Sequence, residues 1–157
     1  DVSRRTPDLR LVVVGAPKKN GGIVKLIRQL GIGDRIRFTG RISDTAFVRE
    51  YARAGMAVVP SVYEGFGLPA GEAMACAVPV ISTTGGALPE VVGDAGTLVP
   101  PADPRALGRA IQEMIDNPAH ARNLGQKGFQ RVQEHFTWRS AASKTVEVYR
   151  EVIDGHR

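Results

Sequence analysis

Short apolar runs rich in β-branched residues alternate along the chain with longer segments in which apolar residues recur every three or four positions. The short runs are typical of buried parallel strands, and the longer period is typical of amphipathic helices. The predicted strands are Arg10–Val14, Arg35–Thr39, Met56–Pro60, Val78–Ser82 and Thr97–Val99. The predicted helices are Ile23–Leu30, Asp44–Ala54, Pro69–Ala77, Leu88–Val92, Pro104–Asn117, Ala119–His135 and Trp138–Asp154. This alternation predicts an α/β fold with a doubly wound parallel sheet.

The last predicted helix carries an apolar stripe, formed by Ala142, Val146, Tyr149 and Ile153. We expect this stripe, and Trp138 at the start of the helix, to pack in the core and not against a membrane.

Length and composition indicate a single globular domain. The chain has 157 residues, of which 43% are hydrophobic and 24% charged, enough apolar material to bury a core. The single cysteine, Cys76, excludes an internal disulfide and a cysteine metal cluster, and the three histidines lack the spacing of metal ligands. No metal site is predicted. No transmembrane run or signal peptide is present, which favours a cytoplasmic location.

The charge is moderately basic, with 21 basic and 16 acidic residues and a formal net charge of +5. Such a balance admits nucleic acid or an anionic membrane surface as a partner. The arginines are spread along the chain, however, and aromatic residues make up only 6% of it. We therefore predict no nucleic-acid binding; a phosphorylated substrate, or peripheral contact with a membrane, explains the charge more simply.

Two glutamates, Glu64 and Glu72, stand on either side of a glycine turn that follows one predicted strand and begins the next helix. Open α/β sheets bind ligands at this edge, and the amides near a helix N-terminus favour an anion. We expect the open amides to be those of residues 67, 68, 70 and 71, and the glycines at 65 and 67 allow a ligand to approach the main chain.

The carboxylates suit hydroxyl groups on either side of a bound phosphate. Glu72, expected in the first helical turn, would repel a phosphate placed beside it, and Glu64 can accept hydrogen bonds from a second set of hydroxyls. A sugar nucleotide offers this alternation of ribose, diphosphate and hexose. Either glutamate alone is more simply a helix-dipole partner or a solvated loop residue. Together with the glycine turn and the preceding strand, the pair favours a phosphosugar site.

Further landmarks follow in order over nearly the whole chain: Leu11–Gly15, Arg37–Ile42, Pro60–Ser61, Glu64–Pro69, Glu72–Ala75, Pro79–Ile81, Gly85–Gly86, Glu90–Val92 and Phe136–Trp138. In this order they resemble the retaining glycosyltransferases of GT-B architecture known as family four. The resemblance implies that residues 1–157 are a single Rossmann-like domain, the C-terminal half of a GT-B fold that binds the nucleotide-sugar donor. An acceptor-binding domain would precede it.

The resemblance also implies roles for particular residues. Glu64 is the implied catalytic residue, which positions the donor hexose through its hydroxyls, and Glu72 holds the ribose. The main chain at Arg41 and Ile42 lines the base pocket, and the turn at Gly15 closes over the same cleft. The amides that touch hexose and diphosphate are those of Gly65, Phe66, Gly67 and Leu68. No metal or other cofactor is implied.

The chain departs from the family pattern at its start. The arginine and lysine that grip the diphosphate in the family precede the segment matched by Asp8–Gly15, and Asp1–Arg5 resemble the end of the helix that follows them. Lys18 and Lys19 are the nearest basic residues, but they follow the wrong strand and are more simply solvated. The missing first strand would be central, so we expect two open sheet edges, filled by another polypeptide segment, a partner chain or closure of the sheet.

The resemblance implies hexosyl transfer from a nucleoside-diphosphate sugar to an acceptor hydroxyl with retention of configuration. Residues 1–157 alone are expected to be inactive. The alternative is a noncatalytic module for sugar-nucleotide binding or assembly. A related GT-B epimerase fits the landmarks less well.

Overall fold

The structure, a computed structural model, describes residues 2–18 and 21–155. The chain forms two compact units, which adjoin in sequence between Glu50 and Tyr51. Lys19, one of the two lysines considered as diphosphate ligands, lies outside the described residues.

The N-terminal unit contains a two-stranded parallel sheet. Its elements are α1 (Val2–Arg5), β1 (Leu11–Val13), α2 (Gly22–Leu30), a short 3-10 helix (Gly33–Arg35), β2 (Ile36–Phe38) and α3 (Asp44–Arg53), the last of which extends into the second unit. Strands β1 and β2 pair in register from Leu11 opposite Ile36 to Val13 opposite Phe38. Both predicted strands of this unit are therefore confirmed, each one residue shorter at either end.

Strand β1 is open on both faces. Leu11, Val12 and Val14 are 50%, 39% and 47% exposed, and no described residue of this unit is fully buried. Successive side chains of a strand point to opposite faces, so neither face of β1 is fully covered. A parallel strand of this composition is normally buried on both faces. The amino acids of β1 are thus typical of an interior strand, but its side chains are only partly covered.

The C-terminal unit contains a three-stranded parallel sheet in the order β3-β4-β5. Its elements are β3 (Ala57–Val59), α4 (Leu68–Ala75), β4 (Val80–Thr83), α5 (Leu88–Val92), β5 (Thr97–Val99), α6 (Pro104–Asp116), α7 (Pro118–His135) and α8 (Trp138–Asp154). None of the helices in the described part of the chain combines the length and apolar character needed to span a membrane.

Strand β4 is the centre of this unit because both of its faces are buried. Val80 belongs to one core cluster, formed largely with α4 and α5, and Ile81 belongs to a second, formed with α6 and α7. Both side chains are 0% exposed. The doubly wound arrangement predicted from the sequence is therefore confirmed in this unit, with helices on both faces of the sheet.

The strands do not form one complete sheet. Within residues 2–18 and 21–155, β1 pairs with β2 alone and β3 pairs with β4 alone. The expectation of two open strand edges is confirmed. That residues 1–157 act as a single donor-binding domain stays a prediction.

The core assignment of the last helix is wrong. Val146, Tyr149 and Ile153 are 45%, 64% and 60% exposed, and Trp138 is 93% exposed. An apolar stripe shows that a helix has one face suited to burial, but it does not identify what covers that face.

Helices α4 and α7 pack closely because α7 has two glycines at the contact. A Cβ atom at Gly125 would overlap the carbonyl oxygen of Ala77, and one at Gly128 would lie 3.0 Å from Cγ of Met74. Since Met74 is fully buried, it has little room to move aside. The two glycines therefore set how near α7 approaches the helix that follows the glycine turn.

We predict that Gly125→Ala lowers the free energy of unfolding by about 1–3 kcal/mol, because the added methyl group meets a main-chain carbonyl that cannot rotate away. Gly71→Ala on α4 is the matched control: its Cβ would meet nothing within 4 Å, and alanine favours a helix by up to about 1 kcal/mol over glycine. Urea unfolding followed by far-ultraviolet circular dichroism measures both. Equal stability of the two variants would contradict the close α4–α7 contact.

Candidate functional site

The glycine turn leads from the carboxyl end of β3 into α4. Gly67 is the residue before the helix, with φ of +89°, and its carbonyl accepts hydrogen bonds from the amides of Ala70 at 3.0 Å and Gly71 at 3.2 Å. A Cβ atom at Gly67 would also lie 2.9 Å from Cδ2 of Leu88. Both the dihedral angle and the space therefore require glycine.

This start of α4 corrects two expectations. Because the helix begins at Leu68, Glu72 is its fifth residue and lies just beyond the first turn. The amides of Ala70 and Gly71, expected to be open donors, are used by the carbonyl of Gly67. Only the residues before them remain as candidate anion donors.

Four consecutive amides at the start of α4 have no acceptor among the described residues. The N–H groups of Gly65, Phe66, Gly67 and Leu68 donate to no atom of the described residues. They stand at the positive end of the α4 helix dipole, where free N–H groups favour an anion or an oxygen-rich ligand. The structure thus leaves unused the same four amides that the resemblance implies for donor binding.

Glu64 is half-buried at the start of this run and is held by both its side chain and its main chain. Its Oε1 accepts a hydrogen bond from the Ser61 hydroxyl at 3.3 Å. Its carbonyl accepts one from the amide of Ala87 at 2.9 Å. The second carboxylate oxygen, Oε2, has no partner in the described part of the chain and can accept hydrogen bonds from a ligand.

Residues 84–87, which follow β4, pack against the main chain of the Glu64 loop. Gly86, with φ of +62°, has no room for a Cβ atom beside the carbonyl oxygen of Glu64. A Cβ atom at Gly85 would lie 2.8 Å from the carbonyl carbon of Val62. The structure shows that close main-chain contact requires both glycines.

Thr83 joins the ends of β3 and β4 at the same place. Its hydroxyl donates to the carbonyl of Ser61 and accepts from the amide of Gly85 at 3.3 Å. The sequence pattern did not identify Thr83, and it identified Ser61 only as part of the landmark Pro60–Ser61. A hydroxyl residue at the carboxyl end of a strand, directly before a glycine pair, was the signal available for Thr83.

Glu72 lies near Tyr51 and Cys76 in surroundings that disfavour its charge. Desolvation raises the pKa of the Glu72 carboxyl, although the residue as a whole is exposed, and no described cation offsets this shift. The pKa of Tyr51 is raised to about 12, chiefly by burial and then by the charges of Glu72 and Cys76. Burial, followed by the charge of Glu72, raises the pKa of the Cys76 thiol. A carboxylate in such surroundings is more common at functional sites than elsewhere.

Tyr51 also fixes the beginning of α4. Its hydroxyl donates to the carbonyl of Pro69 at 3.2 Å, and its ring packs against the core cluster that contains Met74. No local sequence pattern predicts this role of Tyr51, because the contact joins residues from different helices.

The other predicted site residues lie in the N-terminal unit, at the carboxyl ends of β1 and β2. Gly15, with φ of +120°, donates its amide to the Thr39 hydroxyl at 3.2 Å and accepts from the amide of Gly40 at 2.9 Å. The exposed Arg41 and half-buried Ile42 follow directly. The structure therefore gathers the predicted site residues into two sets, one in each unit. Among the described residues, no group of three or more histidines, cysteines or acidic residues is placed to hold a metal ion.

The family described as "Glycosyl transferases group 1" matches residues 1–131. This match covers most of the sequence, and the chain therefore belongs to that family, as its motifs predicted.

Similar proteins agree with this assignment. The chain is 42% identical to the MMP alpha-(1->4)-mannosyltransferase of Mycolicibacterium hassiacum, over 93% of this chain and 36% of that protein. Sucrose-phosphate synthase from Thermosynechococcus elongatus has a similar structure, with a TM-score of 0.83 and 37% identity over 98% of this chain and 41% of that one. The chain thus spans about two fifths or less of the length of these relatives.

A shorter structure matches as well. It is the C-terminal domain of a glycosyl transferase group 1 family protein from Francisella tularensis, with a TM-score of 0.74 and 30% identity over 87% of this chain and 74% of that one. The Rossmann-like C-terminal half of a GT-B fold, predicted from the sequence, is confirmed by these structures.

We predict that Tyr51→Phe changes how stability depends on alkaline pH. A phenol whose pKa is raised on folding keeps its proton while the unfolded chain loses it, so wild-type stability falls as pH rises from about 10 to 12. Phenylalanine cannot titrate, and the variant should show a smaller fall. Chemical unfolding at a series of pH values tests this, with Tyr149→Phe, whose side chain is 64% exposed, as the control. Parallel curves for wild type and Tyr51→Phe would contradict the burial of the Tyr51 hydroxyl.

Proposed function

We propose that this chain is the donor-binding half of a retaining glycosyltransferase, which transfers a hexosyl group from a nucleoside-diphosphate sugar to an acceptor hydroxyl. The observation that carries the proposal is the run of four unused amides at residues 65–68, with Glu64 before it and Glu72 after it. Membership of the glycosyl transferases group 1 family supports it.

Each part of the donor then has a complementary group. The free amides suit the diphosphate because they stand at the helix N-terminus. Glu64 accepts hydrogen bonds from the hexose, and Glu72 accepts them from the ribose. The roles of Gly15, Arg41 and Ile42 in holding the base stay predictions.

Catalysis by this set is positioning together with stabilisation of the leaving diphosphate. Amide donors fixed before the reaction stabilise charge that develops on the leaving oxygen, and Glu64 orients the hexose for attack. Retention follows when the acceptor attacks from the face that the diphosphate leaves, with the diphosphate receiving the acceptor proton. In this scheme Glu64 orients the sugar and forms no bond to it.

We further propose that another segment completes the protein. The relatives are longer than this chain, and strands β1 and β3 each have one unpaired edge within the described residues. A segment that supplies a strand would account for the greater length of the relatives and for the unpaired edges of β1 and β3. The same segment would supply two cationic side chains for the diphosphate. A partner chain could supply the same strand. Cytoplasmic location and peripheral contact with a membrane stay predictions.

The second candidate is a noncatalytic module that binds a sugar nucleotide or serves in assembly. Full-length protein distinguishes the two functions: a transferase forms a glycosylated product, whereas a binding module holds the donor unchanged.

We predict that Glu72→Gln weakens nucleotide binding without lowering stability. Loss of a charged hydrogen-bond acceptor should cost about 1–3 kcal/mol, or roughly 5- to 150-fold in affinity, for the matching nucleoside diphosphate. Because folding raises the pKa of the Glu72 carboxyl, its ionisation opposes folding at neutral pH, so glutamine should preserve or raise the free energy of unfolding.

Calorimetric titration of the full-length protein with UDP, GDP and ADP, alongside urea unfolding, tests this. Glu147→Gln on the exposed helix α8 is the control for loss of one negative charge. Binding that is unchanged in Glu72→Gln would remove the ribose assignment. Failure of the wild-type protein to bind any of the three would contradict donor binding as a whole.

We also predict that the full-length enzyme keeps the anomeric configuration of its donor. Time-resolved proton NMR of the first product formed, before any mutarotation, distinguishes the two stereochemical outcomes. Product of the opposite configuration would contradict same-face attack and the positioning role of Glu64. Intact donor after long incubation with a range of acceptor alcohols would favour the noncatalytic module.

A further inference from the structure

In the loop that carries Glu64, Phe66 stands between two glycines, and its apolar side chain is 54% exposed. Gly65 and Gly67 allow many main-chain conformations, so a contact made by Phe66 restricts the whole turn. The Phe66 ring meets the ring of Phe136 edge to face, with centroids 6.3 Å apart and planes at 83°. This arrangement is favourable beyond the burial of apolar surface. The contact joins residues seventy positions apart.

Phe136 is itself held at the end of α7. Its amide donates to the carbonyl of Val132 at 3.0 Å, which closes the last turn of the helix. The guanidinium carbon of Arg131 lies 5.9 Å from the centre of the Phe136 ring, a cation–π distance. The His135 ring makes a further edge contact at 6.2 Å. The Phe136 ring, which contacts Phe66, is therefore also held by Arg131 and His135.

Arg131 extends this support to α5. Its Nε donates to the carbonyl of Val91 at 2.9 Å and its Nη2 to the carbonyl of Glu90 at 2.7 Å. Both carbonyls belong to the C-terminal end of α5, where a cation is favoured. A Cβ atom at Gly93, which has φ of +56°, would lie 2.8 Å from the guanidinium carbon, so glycine leaves the space that Arg131 occupies.

Together these contacts form a closed chain of interactions that begins and ends at the glycine turn. The residue before α5, Ala87, donates its amide to the carbonyl of Glu64. The other end of α5 binds Arg131, which contacts Phe136, which contacts Phe66 two residues after Glu64. A helix of five residues thus holds the loop from one side directly and from the other side through two side chains.

We propose that Phe136 and Arg131 are positioning residues that keep Phe66, and with it the Glu64 carboxylate and the free amides of residues 65–68, in the conformation that receives the donor sugar. The inference rests on the proposed function, since it assigns these residues to hexose and diphosphate recognition. If the loop leaves that conformation, affinity for the sugar-bearing donor falls in proportion to the fraction of molecules still competent. Contacts to the ribose, which the proposal gives to Glu72 on α4, do not depend on the loop.

The test compares two affinities in the full-length protein: that for a nucleoside-diphosphate hexose and that for the matching nucleoside monophosphate. The probes are UDP-glucose with UMP, ADP-glucose with AMP, and GDP-mannose with GMP, and the pair that the wild type binds is carried forward. Phe136→Ala should lower the ratio of donor affinity to monophosphate affinity by about 2- to 12-fold, the range of an aromatic pair. Phe136→Tyr keeps the ring and should keep the ratio.

Two further variants separate positioning from folding. Arg131→Lys keeps the charge but cannot bind both carbonyls of α5 in the same way, and it should lower the ratio as Phe136→Ala does. Phe129→Ala removes a ring from the same helix, where the side chain is 41% exposed, and should leave the ratio unchanged. General damage to the fold would weaken both ligands together.

An unchanged ratio in Phe136→Ala, or an equal loss of both affinities, would overturn the positioning role while leaving the proposed function intact. Wild-type protein that binds the monophosphate but gains nothing from the hexosyl diphosphate would instead overturn the proposed function, and the positioning role would fall with it.

Discussion

The contact between the Gly85–Gly86 turn and the main chain of residues 61–64 is the constraint on which the rest of the site depends. Neither glycine has room for a side chain, and the hydroxyl of Thr83 binds the carbonyl of Ser61 beside them. The ends of two neighbouring parallel strands are thereby joined above the sheet. Glu64 follows directly from this junction, so main-chain contacts determine where its Cα atom lies.

Glu64 and Glu72 differ in how far their surroundings favour the charged carboxylate. Glu64 accepts a hydrogen bond from the Ser61 hydroxyl, whereas Glu72 lies beside an aromatic hydroxyl and a thiol, in surroundings that raise its pKa. A structural carboxylate normally has a partner that favours its charge. Glu72 has no such partner among the described residues, and a pair of hydroxyls on a ligand would favour its charged form. The same residue can therefore oppose folding slightly and still serve the bound state.

Apolar periodicity predicted the elements well because each strand and helix is a local pattern of burial. Strand β5 and helix α8 have the predicted bounds, and the turn around Gly67 was placed correctly from its neighbouring strand and helix. Contacts between distant segments could not be predicted in this way. Tyr51 reaches Pro69, and Arg131 reaches the carbonyls of α5, through geometry that only the folded chain creates. For the same reason, the apolar stripe of α8 was wrongly assigned to the core: a local pattern does not show which distant segment covers it.

In the glycine turn, the contacts that hold the main chain are separate from the side chains that face solvent. Its main chain is held by Gly85, Gly86 and the hydrogen bonds to Ser61 and Glu64, while the side chains of Val62, Tyr63 and Leu68 are 68%, 78% and 62% exposed. Substitutions at those three positions alter the surface around the turn with little effect on the fold, because exposed side chains contribute little to stability. Such substitutions therefore change the surface that the turn presents to a ligand and leave its hydrogen-bonding frame unchanged.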